Sequence, residues 1–373
     1  MIQKVIRGRD SVNRVPALME KLEIRHPLIV GSRKLIPRLA RQEALRDAPV
    51  FTGYHPNPDL EDTEAGAGMY LREGCDGLIS IGGGSAMDTA KAVKARLCSE
   101  SPEAARAGRL TERRIPHIAI PGTAGSGAEA TAAAVVYEQG KKLSLSHPAL
   151  LPEGVVLDAS LLDSLPEYHR KSCALDALCQ GIESYWARAA TEDSRVNAFL
   201  AILGVLDNLK AYLAGDPHAA EEMLDAAYQS GKAIFQTRTT AAHAMSYQLT
   251  KLLGLAHGHA CFLTLPVLWD RMCAAEETAP LMRELASRIR LGDPLMGSRL
   301  LRGLLIDLGM EAPGKLTEDM LRELTESVNP ERLGNFPLPL EKKDLEMIYR
   351  QAFRPVTEPE RQACLDIWRY YGG

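Results

Sequence analysis

The 373-residue chain has seven cysteines, at 75, 98, 173, 179, 261, 273 and 364, but no CxxC pair and no regular spacing. An odd, scattered set in so long a chain excludes a disulfide framework and gives no support to a zinc–thiolate site. All seven are expected as reduced thiols, mostly buried as small hydrophobes. No run of about 18 apolar residues occurs, so no membrane-spanning helix is expected. The opening MIQKVIRGRDSV is charged and lacks the apolar core of a signal peptide, which makes a cytoplasmic protein the expectation. Basic excess is missing too: 44 Lys and Arg stand against 48 Asp and Glu, a net charge of -4 that speaks against a nucleic-acid surface. Neither GxGxxG nor GxxxxGK[ST] is present, so the two best-known nucleotide fingerprints do not apply.

What is present has two textures. A chain of this length exceeds one comfortable core, so two domains are expected. Through about residue 160, short apolar runs alternate with helical patterns. HPLIVGS (26–32), DAPVFTGYHPNP (47–58), DGLISIGGGS (76–85) and IPHIAIPGTAGSG (115–127) read as strands running into loops. RKLIPRLARQEAL, LEDTEAGAGMYLREGC and SAMDTAKAVKARL read as the helices between them. This alternation predicts a parallel sheet covered on both faces, an α/β domain over 1–160. From 161 to 373 strand signals nearly vanish, and helices are predicted at 167–190, 193–213, 217–235, 239–253 and 260–275, with shorter ones beyond.

Three motifs carry chemistry. In ISIGGGSAMDTAK an apolar strand breaks into Gly82, Gly83 and Gly84, and Ser85 opens a helix. Backbone N–H groups at such a helix start, together with its dipole, suit a phosphate. A glycine turn needed only for sterics is the alternative. Asp88 and Lys91 follow three residues apart, where a plain surface ion pair is the bland reading. In IPGTAGSGAEAT, Thr123 and Ser126 offer hydroxyls in a second small-residue strand exit. Two such loops at the carboxyl ends of parallel strands match the ligand position of open α/β sheets and point to a dinucleotide. The third motif lies in the helical half. In DALCQGIESYW, Asp176 and Gln180 are stacked one turn apart, with Glu183 beyond. In TTAAHAMSYQLTKLLGLAHGHA, His243 and Tyr247 share a face, and His257 and His259 follow at a fresh turn. Spacing alone leaves open a polar stripe or half of a metal site, but a carboxylate with several imidazoles suits a divalent Lewis acid.

Taken in order and spacing, GGGSAMDTAK, PGTAGSGAEAT, DALCQGIESYW and HAMSYQLTKLLGLAHGHA resemble the iron-containing (group III) alcohol dehydrogenase family over roughly residues 20–275. The resemblance implies a dehydroquinate synthase-like fold, a nucleotide-binding α/β domain followed by a helical metal and substrate domain. It implies hydride transfer between NAD(P)H and a small aldehyde or ketone in the interdomain cleft. By position, its metal ligands fall on Asp176, Gln180, His243 and His257. The second is typically histidine, so Gln180 implies weak metal binding, a shift from iron (Fe2+) towards zinc or manganese, or a metal-free site. A family histidine near the nicotinamide falls on Tyr247, leaving Tyr247, His259 or water as proton source. Tyrosine's ordinary pKa is about 10. The resemblance also assigns Ser32, Gly82–Ser85, Asp88, Thr123, Ser126 and Lys142 to the cofactor. An acidic residue often found after the first strand of NAD-preferring members is replaced by Ser32, followed by Arg33 and Lys34, so NADP(H) is expected over NAD(H). GKKLSLSHPALLPEGVVLD and TRTTAAHAMSYQLT look most like the phosphonoacetaldehyde reductase-type subgroup, with Lys142, Arg238 and His147 as candidate partners of the phosphonate. A general short-chain primary alcohol dehydrogenase, or a nucleotide-binding pseudoenzyme with a degraded metal site, are the alternatives. Homodimers or larger homo-oligomers, and a small-molecule substrate, are implied.

Overall fold

The computed structural model describes residues 2–56, 58–138 and 140–371, so Asn57, within the predicted 47–58 segment, lies outside them. The chain divides into two compact units, Met1–Leu165 and Pro166–Gly373. In the first, strands β1 (Lys4–Arg7), β2 (Pro27–Gly31), β3 (Val50–Phe51), β4 (Gly77–Gly82), β5 (His117–Pro121) and β8 (Gly154–Leu157) form a parallel sheet in the order β1-β8-β5-β4-β2-β3. An antiparallel hairpin, β6 (Ala133–Glu138) and β7 (Lys141–Ser146), stands between β5 and β8 in sequence. Helices α1 (Val15–Lys21), α2 (Ile36–Ala40), α3 (Leu60–Arg72), α4 (Gly84–Leu97) and α5 (Pro102–Arg106) complete the unit.

Period-two patterning explains why the sheet is covered on both sides. Ile29, Ile79 and Ile81 pack with Val15 and Leu18 of α1, whereas Leu28, Val30 and Leu78 pack with Tyr70 of α3 and Val93 of α4. The connection from β2 runs to β3 on one side, and β4 then returns on the other. That reversal is the topological switch point at which open α/β sheets bind ligands. The carboxyl ends meeting there carry Ser32 and Gly82.

The second unit is helical: α6 (Glu167–Trp186), α7 (Glu192–Leu213), α8 (Pro217–Thr237), α9 (Ala241–Leu253), α10 (His257–Ala274), α11 (Ala279–Arg288), α12 (Met296–Asp307), α13 (Glu318–Glu326), α14 (Pro330–Leu333), α15 (Lys342–Ala352) and α16 (Glu358–Tyr371). α6 packs against α7, α8 and α10. By length and composition alone α7 could cross a membrane, although the sequence holds no unbroken apolar run. Ala198, Ile202, Val205 and Leu209 of that helix are buried, and it packs on α6 and α8.

Several boundaries depart from the pattern-based expectation. The predicted helix at 33–45 is interrupted: Pro37 starts the short α2, and only a 3-10 turn at Glu43–Leu45 follows. The strand predicted at 47–58 is two residues long at the sheet edge. β1, β6, β7 and β8 were not predicted as strands; β1 is half exposed and carries charges at both ends, and four-residue runs give little periodicity.

Candidate active site

The glycine loop of the first unit is built as its sequence suggests. Gly82 ends β4 at φ +153, and a Cβ there would meet the Cβ of Ala86 at 2.9 Å, so no side chain fits. The N-cap of α4, Gly83, supplies no side-chain cap, which leaves the first N–H groups of a 14-residue helix to a ligand. The two small-residue loops lie against each other. Thr123 is the nearest neighbour of Gly83, Ser126 that of Gly84, and Gly122 N donates to Gly82 O at 2.7 Å. Ser32 N donates to Ile81 O at 2.9 Å, beside Gly82. The hydroxyl of Ser85 donates to Pro56 O. Asp88 accepts from Val135 N at 3.1 Å; burial pushes its carboxyl up, while Lys91 and Lys142 pull it down.

Lys91 is no surface ion-pair partner. It is fully buried, and its ammonium donates to Ala128 O, to Thr131 Oγ1 at 2.9 Å and to Ala133 O at 2.8 Å. It thereby ties the second loop and β6 to α4. Burial lowers its pKa to about 8, partly offset by Asp88. That tether was not legible in sequence, where a lysine three residues after an aspartate reads as solvated.

In the helical unit, Asp176 of α6, His243 of α9 and His257 and Cys261 of α10 bring one ligand atom each to within 4.8 Å of one another. His243 Nε2 lies 3.3 Å from Asp176 Oδ1. His257 is solvent-exposed; the other three are buried. Two local features place these groups. Gly258 follows His257 at the start of α10, where a Cβ would meet Ser172 O at 2.0 Å and Asp176 Cβ at 2.7 Å. Only glycine lets α10 approach α6 so closely. Glu183, fully buried on α6, accepts at Oε1 from Thr240 N (3.1 Å), Thr240 Oγ1 (2.6 Å) and Ala242 N (2.8 Å). Its carboxylate thus binds the N-terminus of α9. Its Oε2 accepts from His243 Nδ1. That bond fixes the imidazole with Nε2 towards Asp176, the arrangement by which a carboxylate orients a ligating histidine.

The strained link before α9 is pinned as well. Arg238 takes φ +61 and ψ 178, a region costly for any residue with a side chain. Thr237 Oγ1 donates to Arg238 O at 2.7 Å, and Asn335 Nδ2 donates to Thr237 O and Thr239 O. Its own side chain is exposed.

The electrostatics match a cation-binding cluster. Burial opposes ionisation of Asp176, but the adjacent His243 imidazole and the charge of His257 hold its carboxyl below the usual range. Burial likewise disfavours a charged His243, yet Cys261, Glu183 and Asp176 raise it well above its ordinary value. Cys261 and then Asp176 hold His257 up at about 9. Burial pushes the Cys261 thiol up, and the two imidazoles outweigh it, bringing it to about 7. Asp176 Oδ1 and His243 Nε2 are buried without a hydrogen-bond partner, aimed at each other across 3.3 Å. An imidazole between two carboxylates must carry either a proton or a metal at Nε2. Carboxylate, imidazoles and thiol are first-row metal donors, so the residues fit a divalent ion.

The other assigned positions divide. Gln180 is buried, and its Oε1 accepts from Ser230 Oγ at 2.9 Å. Tyr247 lies with its ring nearly parallel to that of His257 (centroids 6.3 Å, 11°). Its hydroxyl accepts from Arg332 Nη1 at 2.7 Å. The structure does not bring His259 to the cluster. Nε2 is bonded to Met310 O at 2.7 Å and Nδ1 to the Tyr168 hydroxyl at 3.1 Å, so the ring ties helices together and no proton-donating role is proposed for it. His147 Nδ1 accepts from Ala149 N at 3.1 Å and caps a turn. Sequence reasoning missed Cys261, Glu183 and Arg332. His257-x-x-x-Cys261, one helical turn, is the readable signal for the first, and in sequence Glu183 is only a polar neighbour of Asp176 and Gln180.

A parallel nucleotide-binding sheet followed by a helical unit with an inward-facing carboxylate and imidazoles defines a metal-assisted, nicotinamide-dependent oxidoreductase. The chain belongs to the iron-containing alcohol dehydrogenase family: that family's model matches residues 3–159, and its C-terminal counterpart, the Fe-containing alcohol dehydrogenase family, C-terminal, matches 172–313. It is 35% identical to a phosphonoacetaldehyde reductase of Streptomyces viridochromogenes over 279 residues, 69% of this chain and 70% of that one. It is 32% identical to a lactaldehyde reductase of Escherichia coli over 277 residues, 69% and 71% of the two chains. Its fold is similar to a crystal structure of sulfoacetaldehyde reductase from Bifidobacterium kashiwanohense in complex with NAD+, with a TM-score of 0.87, 26% identity, and 94% and 96% of the chains covered. The protein is an alcohol dehydrogenase or aldehyde reductase that uses a nicotinamide cofactor and a divalent metal.

Proposed function

We propose that the protein reduces a small aldehyde bearing an oxyanion group, phosphonoacetaldehyde to 2-hydroxyethylphosphonate, with NADPH as the hydride donor. Hydride passes from the nicotinamide to the carbonyl carbon and a proton to its oxygen, so that aldehyde, NADPH and one proton give the primary alcohol and NADP+. The observation that carries the reading is Arg332. This half-buried guanidinium sits over the Tyr247 ring at 5.1 Å and bonds its hydroxyl, one residue away from the exposed His257. An arginine fork beside the reacting group is suited to a phosphonate, which it can meet with two parallel N–H donors. The names of the Streptomyces and Bifidobacterium relatives, for a phosphonate and a sulfonate of acetaldehyde, support the same substrate class.

Asp176, His243 and His257 would hold the metal, which when bound supplies Lewis-acid polarisation of the carbonyl. Tyr247, its oxygen fixed by Arg332, is the proton donor to the developing alkoxide. Gly82–Ser85, Asp88, Thr123 and Ser126 receive the cofactor, with Ser32 at its ribose and Lys142 near Asp88. Arg33 and Lys34, exposed after β2, favour a 2′-phosphate.

Arg332→Ala is expected to lower kcat/KM for phosphonoacetaldehyde by about 100-fold more than for an uncharged aldehyde, in line with loss of a hydrogen bond to a charged group; the uncharged aldehyde loses only the fixing of Tyr247. Equal losses on both substrates would remove the anion-binding role. In the same assay NADPH should outperform NADH in kcat/KM; a strong NADH preference refutes the cofactor assignment.

A further inference from the structure

We propose that the fourth protein donor of the metal centre is the thiolate of Cys261 rather than the amide of Gln180, giving a carboxylate–imidazole–imidazole–thiolate set. The proposal rests on the metal-dependent reading above and adds a ligand to it. Gln180 occupies the position where a third imidazole is expected, but its amide is engaged: Oε1 accepts from Ser230 Oγ, and the side chain also bonds Asp176. Cys261, in contrast, is fully buried with its sulfur 3.7 Å from Nε2 and 3.8 Å from Nδ1 of His257. It lies one turn after His257 on α10, so the two side chains share a face.

Distances support one centre. Zinc–nitrogen and zinc–oxygen bonds of about 2.0–2.2 Å and a zinc–sulfur bond of about 2.3 Å give tetrahedral edges of roughly 3.4 Å between N and O and roughly 3.6 Å between N and S. The observed 3.3 Å between His243 Nε2 and Asp176 Oδ1 is such an edge, and the Cys261 sulfur and a His257 nitrogen each lie within 4.8 Å of that pair and of each other. Asp176 Oδ1 and His243 Nε2, both buried and with no other hydrogen-bond partner, face the same point as the Cys261 sulfur. Cys179, near the same histidine, is different. It lies on the Nδ1 side of the ring, which Glu183 already occupies. A soft thiolate in the set moves the preference from iron towards zinc.

The test is cobalt(II) substitution, read by absorption and by metal content after dialysis against a chelator. Cobalt-loaded wild-type protein should show the near-ultraviolet thiolate-to-cobalt charge-transfer band. Cys261→Ser should lose the band and at least about 100-fold in metal affinity, a loss no smaller than that for removing a group that only orients a ligand. Gln180→Ala should keep the band. One equivalent of cobalt without the band, or a band that survives Cys261→Ser, overturns the proposal. So does a band lost with Gln180→Ala. Should the serine variant not fold, the wild-type spectrum alone decides. None of these readouts uses turnover, so failure of the substrate assignment leaves them unchanged, whereas wild-type protein that takes up no cobalt removes the metal-dependent reading as well.

Discussion

Glu183 is the residue on which His243 depends most directly. Its two oxygens do separate work: one holds the start of α9, and the other takes the Nδ1 proton of His243. Glu183→Gln keeps an oxygen for the backbone donors but turns an N–H towards His243 Nδ1. The favoured tautomer then carries its proton on Nε2, the nitrogen proposed to bind the metal. Metal affinity, measured by competition with a chromogenic chelator, should fall about 10- to 100-fold while the fold persists. Unchanged affinity would show that Glu183 serves only the helix terminus. At this scale one-turn spacing singled out Asp176 and His243, but only the family resemblance joined them to His257, and the structure brings the three together. It was silent on Arg332, whose contact with Tyr247 joins residues 85 apart. It misled on Lys91, since nothing local distinguishes a buried lysine from a solvated one.

At the scale of elements, small residues set the exits of β4 and β5 in the first unit and the start of α10 in the second. α10 reaches α6 only because residue 258 lacks a side chain. Gly258→Ala would force Ser172 and Asp176 away from the new methyl group, costing about 1–3 kcal/mol of stability as overpacking does. Retained metal after dialysis should drop at least tenfold, because His257 moves with the helix start. A variant with native metal content would contradict this account of Gly258. Long helices were legible to within a few residues: 193–213 was predicted and Glu192–Leu213 is found. Short strands were not, because β1 at the sheet edge and β8 inside it hold four residues each and owe their pairing to the sheet rather than to their own pattern.

On the scale of the whole molecule, buried charge makes stability depend on pH. Glu129 lies buried in the second small-residue loop, and burial raises its carboxyl from 4.5 to about 7, with Lys91 opposing. A carboxyl raised in the fold is protonated there while the unfolded chain is ionised. Its contribution is therefore fully present below pH 4.5 and lost as pH rises through about 7. The difference amounts to roughly 3 kcal/mol at about 1.4 kcal/mol per unit. Denaturant unfolding of wild type and Glu129→Gln at pH 5 and pH 8 should show the variant gaining relative to wild type by that order; parallel behaviour would place the carboxyl in an ordinary environment. The coarse plan, an α/β part followed by helices, was readable from the change of texture near residue 160, and the structure divides after Leu165. Strand order was not readable, because the return of β4 to the far side of β2 is set by packing on both faces of the sheet. The most direct test of the central claim compares kcat/KM of the metal-loaded, NADPH-supplied protein for phosphonoacetaldehyde with that for an uncharged aldehyde of similar length. A preference of at least about 100-fold for the phosphonate is predicted, and equal or better use of the uncharged aldehyde would contradict it.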